Sequence, residues 1–145
     1  MRTKIATTAL LASLTVAGVA LAPAVSAAPA TPQHTAVQAA PAAAPGFNAG
    51  GTWKLYQSNG PVVTMNVSQD SAGTLYGSAS CCGNPGTIRS GRVDGTGIYF
   101  VIAWSNGALG RYTGTLGPDR RLSGYTFDIN NPSSQANWNT SRTFV

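Results

Sequence analysis

The side chains best suited to chemistry in this sequence are aromatic and amide groups, not acids and bases. Trp104, Tyr112, Tyr125 and Trp138, with the polar Ser78 and Asn106, are the types that hold a flat or sugar-like ligand: rings supply stacking area, while hydroxyls and amides fix orientation. Singly, each aromatic fills a small interior more often than it meets a ligand, so they count only as a group. Cys81 and Cys82 are the only cysteines, and they are adjacent. Neighbouring Cα atoms lie about 3.8 Å apart, short of the roughly 4.4–6.8 Å that ordinary disulfides span, so a bridge between them is strained. An oxidising compartment still favours a vicinal bridge, which would stiffen a Cys81–Gly86 loop and offer a ligand a small apolar contact. A bridge to another molecule, or two idle thiols, are the alternatives.

Hydrolytic chemistry would need a nucleophile beside a base, a pair of carboxylates or a metal cluster. Residues 47–145 contain no histidine and no glutamate. Asp70, Asp94 and Asp119 sit in turn-like contexts, where the side chain usually serves the backbone; Asp128 alone follows a strand, beside Asn130 and Asn131. No catalytic residue, metal-ligand set or cofactor is implied, and an enzyme is not expected. His34, the only histidine, lies among Ala, Pro, Thr and Gln and reads as an exposed linker residue.

The elements that must position the aromatic groups are strands. Ile98 to Trp104 is an apolar run between a glycine and Asn106-Gly107, which reads as a central strand entering a hairpin. Alternation puts Ile98, Phe100, Ile102 and Trp104 on one face and Tyr99, Val101 and Ala103 on the other. Turn residues recur about every eight to twelve positions, giving candidate strands at Thr52–Gln57, Val62–Ser68, Thr74–Ser80, Thr87–Val93, Ile98–Trp104, Gly110–Leu116, Leu122–Asp128 and Ala136–Phe144. The joints Ser58–Gly60, Asp94–Gly97, Ser105–Gly107 and Gly117–Arg120 are short, and the Asn-Gly pairs suit type I′ hairpins. The expected fold is all-β, an antiparallel up-and-down meander of about eight strands closed into a small barrel, with a two-sheet sandwich as the structural rival. Gly77, Gly91, Gly110, Gly114 and Gly124 fall inside strands, which suits tight coiling. Ser58-Asn59-Gly60, Leu75 and Gly77 recur 47 positions later as Ser105-Asn106-Gly107, Leu122 and Gly124, as two fused four-strand halves would.

Arg2 and Lys4 precede an apolar run from Ile5 to Ala22, and Val25-Ser26-Ala27 offers a cleavage site, so residues 1–27 read as a signal peptide. Pro23 and the small-residue exit speak against a membrane anchor, and no cysteine stands at the cleavage point to take a lipid. Residues 28–46, nearly all Ala, Pro, Thr and Gln, read as a flexible linker, leaving 47–145 as the barrel domain of a secreted, extracellular protein. Lys54, Arg89, Arg92, Arg111, Arg120, Arg121 and Arg142 oppose the four aspartates; that mild, scattered excess gives no nucleic-acid surface.

Gly51-Thr52-Trp53 in the first strand, Gly73-Thr74-Leu75-Tyr76-Gly77-Ser78 in the third, Ile102-Ala103-Trp104-Ser105-Asn106 in the fifth, Tyr112-Thr113-Gly114-Thr115 in the sixth, and Trp138 with a closing Thr143-Phe144 follow one another over nearly all of Gly50 to Phe144. In these motifs the chain resembles the avidin and streptavidin family of eight-stranded, calycin-type barrels. The resemblance implies that Trp104 stands for a tryptophan packing on biotin, Trp138 for the one contributed across a subunit interface of a homo-oligomer, and Tyr112 for a further tryptophan. It also implies departures: the ureido-recognising tyrosine falls on Ala79, the late aspartate falls on Arg142, and Trp138 to Thr143 is shorter than in the family. Unpaired ligand polar groups cost about 1–3 kcal/mol each, so the fold and a pocket carry over and biotin does not.

The expected function is non-enzymatic binding of a small molecule or glycan in an aromatic-lined pocket. The rivals are a secreted protein-binding module, such as a protease inhibitor, that presents the Ala/Pro linker with Phe47-Asn48 or the Cys81–Gly86 loop, and a structural envelope or matrix protein.

Overall fold

The computed structural model describes residues 43–145. The expected leader, most of the linker and His34 lie outside the described residues. Eight strands follow in order: β1 (Gly51–Gln57), β2 (Val62–Gln69), β3 (Leu75–Cys81), β4 (Asn84–Asp94), β5 (Gly97–Trp104), β6 (Leu109–Leu116), β7 (Leu122–Asp128) and β8 (Asn131–Thr140). Each pairs antiparallel with the next, and β8 returns to β1 through Leu55↔Thr140, Tyr56↔Asn139 and Gln57↔Trp138, closing a barrel without sheet edges. The sandwich alternative is excluded, and the architecture is compatible with a calycin-type fold.

Alternation decides what fills the interior. Ile98, Phe100 and Ile102 of β5 are buried, as are Trp53 and Leu55 of β1, Val63, Met65 and Val67 of β2, and Leu75 and Ala79 of β3. β4 is longer than expected because the tight Cys82-Gly83 turn lets its pairing with β3 begin at Asn84, and within it a bulge between Ile88 and Ser90 takes up one residue. The alternation that breaks at Arg89 in the sequence is thereby restored, with Ile88, Gly91 and Val93 all inside. β8 is shifted toward the start of the chain and is one residue longer than expected. It starts at Asn131 because the polar Asn131–Gln135 stretch needs only β7 as a partner, and it ends at Thr140, whose hydroxyl accepts the Leu122 N–H at 3.1 Å. Beyond it Phe144 turns into the barrel, where it is fully buried.

The hairpins differ from expectation in type. At Gln57–Gly60 and Trp104–Gly107 only the glycine has positive φ, 109° and 89°, and its N–H bonds back to the Gln57 and Trp104 carbonyls at 3.0 Å. These are type I turns followed by a left-handed residue, not type I′. Asp70–Gly73 and Gly117–Arg120 repeat the pattern, the last with Arg120 itself at φ 63°. The one joint with the I′ signature is Cys82-Gly83, φ 55° and 78°, flanked by the Cys81↔Asn84 pair. The expected Cys81–Gly86 loop is therefore a two-residue turn between β3 and β4.

The 47-residue repeat holds in three dimensions. Gly60 and Gly107 close equivalent turns, Leu75 and Leu122 open equivalent strands, and Trp53 and Phe100 occupy equivalent interior positions. Gly77 and Gly124 are tied by a shared close approach: a Cβ at either would collide with the neighbouring strand, at the Asn66 carbonyl oxygen in one half and the Thr113 carbonyl oxygen in the other. The two halves coil at the same place for the same reason.

One end of the barrel is plugged. The chain joins the fold at Ala44, slightly before the expected start, where Gly95 N–H bonds the Ala44 carbonyl at 3.1 Å and Gly46 N–H bonds the Gly95 carbonyl at 2.8 Å. Phe47 then enters the interior, its carbonyl accepting Gln69 Nε2 at 3.0 Å, while Ala49 N–H donates to Gln69 Oε1 at 2.7 Å. Phe144 meets Phe47 and Trp53 edge-on, at 6.0 and 5.5 Å between centroids.

At that end Asp70 accepts the Ala72 and Thr74 N–H groups at 2.9 and 2.8 Å, and the Thr74 bond chiefly holds its carboxyl below the usual range. A group depressed in the folded state contributes above its unfolded pKa, and that contribution is lost as pH falls through the folded value. Asp70→Ala should therefore narrow its stability deficit below the normal aspartate range. Urea midpoints at pH 7 and pH 3 check this, and a deficit that stays constant or widens in acid would contradict it.

Candidate functional site

The opposite end is open and leads to a cavity of about 250 Å³. Its apolar wall is Trp104, at the end of β5, and Tyr112, in β6. The Tyr112 ring stacks on Phe100 with centroids 4.9 Å apart and planes 10° apart, so the core beneath fixes its orientation. Two glycines make room for Trp104: Gly86 pairs with Trp104 itself, and Gly110 pairs with Ile102. A Cβ on Gly86 would fall 2.9 Å from Trp104 Cε3, and one on Gly110 would fall 2.8 Å from Tyr112 Cε2 and 3.2 Å from Trp104 Nε1. The indole nitrogen and the phenol thus converge above Gly110.

The rest of the lining mixes the apolar Pro61, Val63, Ala108 and Phe127 with polar groups and is almost uncharged. Gln57 Nε2 donates to the Tyr112 phenol oxygen at 3.4 Å, and Thr126 Oγ1 donates to the Arg111 carbonyl at 2.9 Å. Asn84 accepts the Ser105 hydroxyl at 3.4 Å and donates to the Cys82 carbonyl at 3.1 Å. Asp128 is the one carboxylate in the lining, which holds no lysine, arginine or histidine. Its Oδ1 accepts the Leu109 and Asn130 N–H groups at 3.1 and 3.0 Å, so it serves the backbone as Asp70 and Asp119 do. Burial pushes the Tyr112 phenol above its ordinary range, keeping it a neutral donor at physiological pH.

The six residues expected together at a mouth divide three ways. Trp104 and Tyr112 form the pocket wall, and Asn106 stands on its rim, its Oδ1 occupied by the Ala108 N–H at 3.2 Å. Ser78 lies on the outer face of β3, exposed. Trp138 is 2% exposed inside the barrel, with its indole N–H bonded to the Tyr125 carbonyl at 3.0 Å and its ring where a Gly114 Cβ would be, 2.5 Å from Cζ2. Tyr125 faces outward, its phenol on Gln135. The cause is parity along the strands: Tyr125 sits one residue after the inward Gly124, and Ser78 one residue before the inward Ala79.

Ala79 and Arg142, the positions onto which the resemblance noted in the sequence would carry polar ligand contacts, both lie outside the lining of the open end. Ala79 is interior wall, and Arg142 lies at the plugged end with its guanidinium 4.9 Å from the Phe144 ring centre.

Gln57, Asn84, Thr126 and Asp128 were not singled out from the sequence as pocket residues, although a signal was present. The 47-residue offset maps Gln57 onto Trp104 and Cys81 onto Asp128, so the rim positions of one half locate those of the other.

Cys81 and Cys82 are free thiols, in place of the vicinal bridge favoured from the sequence. Both line the cavity, Cys81 half-buried and Cys82 exposed in the turn, with their side chains within hydrogen-bonding reach of each other. Burial first, and Cys82 next, push the Cys81 thiol up to about 11. Iodoacetamide at pH 8 should therefore label Cys82 quickly and Cys81 slowly, without prior reduction. Peptide mass spectrometry checks this: equal rates, or no labelling until a reductant is added, would contradict it.

Among the described residues no group of three or more His, Cys, Asp or Glu side chains could hold a metal ion. Comparison with protein-family models, curated protein sequences and solved structures finds no match.

Proposed function

We propose that this chain is an exported, non-enzymatic binding protein whose open barrel end takes a small, flat molecule without negative charge. The observation that carries the reading is the pairing of an open and a plugged end, with Trp104 and Tyr112 converging above Gly110 in the open one. Aromatic area with a few converging polar groups is what small-molecule sites are made of, and a volume near 250 Å³ suits a ligand of few rings. Ligand charge is limited by Asp128: with no cation in the lining, a buried anion would face an unscreened like charge. The resemblance to the avidin family supports a ligand at the barrel mouth, while Ala79 and Arg142 argue against biotin. Export rests on the charged and apolar character of residues 1–27.

For the protein-binding alternative, the segments within the described residues offer little extended surface. Phe47 is 5% exposed and belongs to the plug, and the Cys81–Gly86 stretch is a tight turn.

Isothermal titration of small heteroaromatic compounds, offered as neutral and carboxylate pairs, tests the proposal. The neutral member should bind at least about tenfold tighter than its partner, a difference of ~1.4 kcal/mol. Heat from none of the pairs, or a preference for carboxylates, would overturn it.

A further inference from the structure

Tyr125, displaced from the mouth, belongs to a second concavity on the outer wall, over the buried Trp138. A shallow groove of about 770 Å³ runs over β1, β8, β7 and β6, lined by Tyr56 and Tyr125 together with Ser58, Thr113, Thr115, Ser123, Asn137 and Asn139. Tyr56 is 37% and Tyr125 38% exposed, so each offers a ring to solvent.

The register arranges these groups in two rows across the strands. Tyr56, Asn139, Ser123 and Thr115 are successive partners from β1 to β6, and Ser58, Asn137, Tyr125 and Thr113 form the row beside them. Strands lie about 4.8 Å apart and rows about 6.8 Å apart, so the groove is a lattice of hydroxyl and amide groups with a tyrosine in each row. The backbone ladder uses the main-chain donors and acceptors, leaving the side chains to face outward.

No charged residue lines this groove, although the chain is basic overall. Exposed sheet faces normally carry lysine and glutamate for solubility, and the core of a protein-protein interface is apolar; this surface has neither character. Aromatic faces beside uncharged hydrogen-bonding groups match the two sides of a pyranose, its apolar C–H face and its hydroxyl edge. The groove spans four strands, and successive sugar units of an extended chain advance by close to one strand spacing. We infer that the outer groove over β1, β6, β7 and β8 binds a neutral, unbranched oligosaccharide, at a site separate from the end pocket.

The test is calorimetric titration of the described domain within the full secreted chain with cellohexaose, xylohexaose, mannohexaose and chitohexaose. A uronate hexamer serves as the anionic arm, because Lys54 and Arg111 are the next outward residues on β1 and β6. At least one neutral hexamer should bind. Tyr125→Ala and Tyr56→Ala should each weaken it about tenfold, while Tyr125→Phe, which keeps the ring, should stay within about threefold. Trp104→Phe should leave it unchanged, which separates this site from the end pocket. Circular dichroism of the alanine variants guards against misfolding. Binding of none of the neutral hexamers would overturn the inference, as would binding that depends on Trp104 and not on the tyrosines, or a preference for the uronate. A concentration-dependent dimer that Tyr125→Ala dissociates, with no saccharide bound, would assign the groove to a second copy instead.

Discussion

Trp53→Ala should cost about 3–5 kcal/mol of folding stability, the largest single-residue loss expected in this domain. Three terms act together. The ring is 3% exposed and meets Phe144 at 5.5 Å and Phe100 at 6.3 Å, so its removal opens a cavity between the plug and the core. Its indole N–H bonds the Ala49 carbonyl at 2.9 Å, and losing it leaves that buried acceptor bare. Ala49 in turn is part of the segment that seals the barrel, so the plug itself is loosened. With about 4–8 °C per kcal/mol for a domain of this size, the melting temperature should fall by roughly 15 °C or more. Calorimetry on the wild type and Trp53→Ala checks this. A loss below about 1 kcal/mol would mean that the plug is not anchored through Trp53, and the distinction between a closed and an open end would fail with it.

Gly110→Val should weaken binding at the open end by roughly 10- to 100-fold while leaving the barrel folded. The first added carbon already falls 2.8 Å from Tyr112 Cε2, and the two methyls must go where Trp104 and Tyr112 converge. Overpacking of this kind costs about 1–3 kcal/mol; Tyr112 is held against Phe100, so relief comes from moving the half-buried Trp104 into the cavity, and the cost falls on the liganded state. Gly114→Val is the instructive counterpart, four residues along the same strand. There a Cβ meets Trp138 at 2.5 Å and the Ser123 carbonyl oxygen at 2.8 Å, both in packed surroundings, so the variant should lose stability. Calorimetric affinity and denaturation midpoints on both variants separate the effects. Equal loss of affinity in the two, without loss of stability in either, would contradict the assignment of Gly110 to the pocket and Gly114 to the core.

The strand content of this barrel was legible because burial on one face leaves alternation in the sequence: Val63, Met65 and Val67 inward against Thr64, Asn66 and Ser68 reads directly. The ends of β4 and β8 were not legible. The tight Cys82-Gly83 turn sets where β4 starts and a bulge at Ile88–Ser90 breaks its period, while the polar start of β8 has no alternation to show because it pairs with β7 alone. Turn type was missed at the Asn-Gly joints because Asn tolerates positive φ without requiring it, and the hairpin length lets glycine alone take that role.

For the site, Trp104 and Tyr112 were recognisable as aromatic residues on inward positions, but so was Trp138, and sequence alone does not show which end of the barrel a chain terminus plugs. Tyr125 was misplaced by a single step of parity. The internal repeat carried more information than was drawn from it, since the same offset that pairs Leu75 with Leu122 also pairs Gln57 with Trp104.

The most direct test of the account is the indole region of a proton–nitrogen correlation spectrum, which should show three signals, one for each tryptophan. Trp53 and Trp138 donate to the Ala49 and Tyr125 carbonyls at 2.9 and 3.0 Å, and their N–H signals should exchange slowly with solvent and stay in place when a neutral heteroaromatic compound is titrated in. The Trp104 signal should exchange faster and move saturably with the same compound. A spectrum in which Trp104 stays fixed and protected while either of the other two shifts would contradict the open-end binding site.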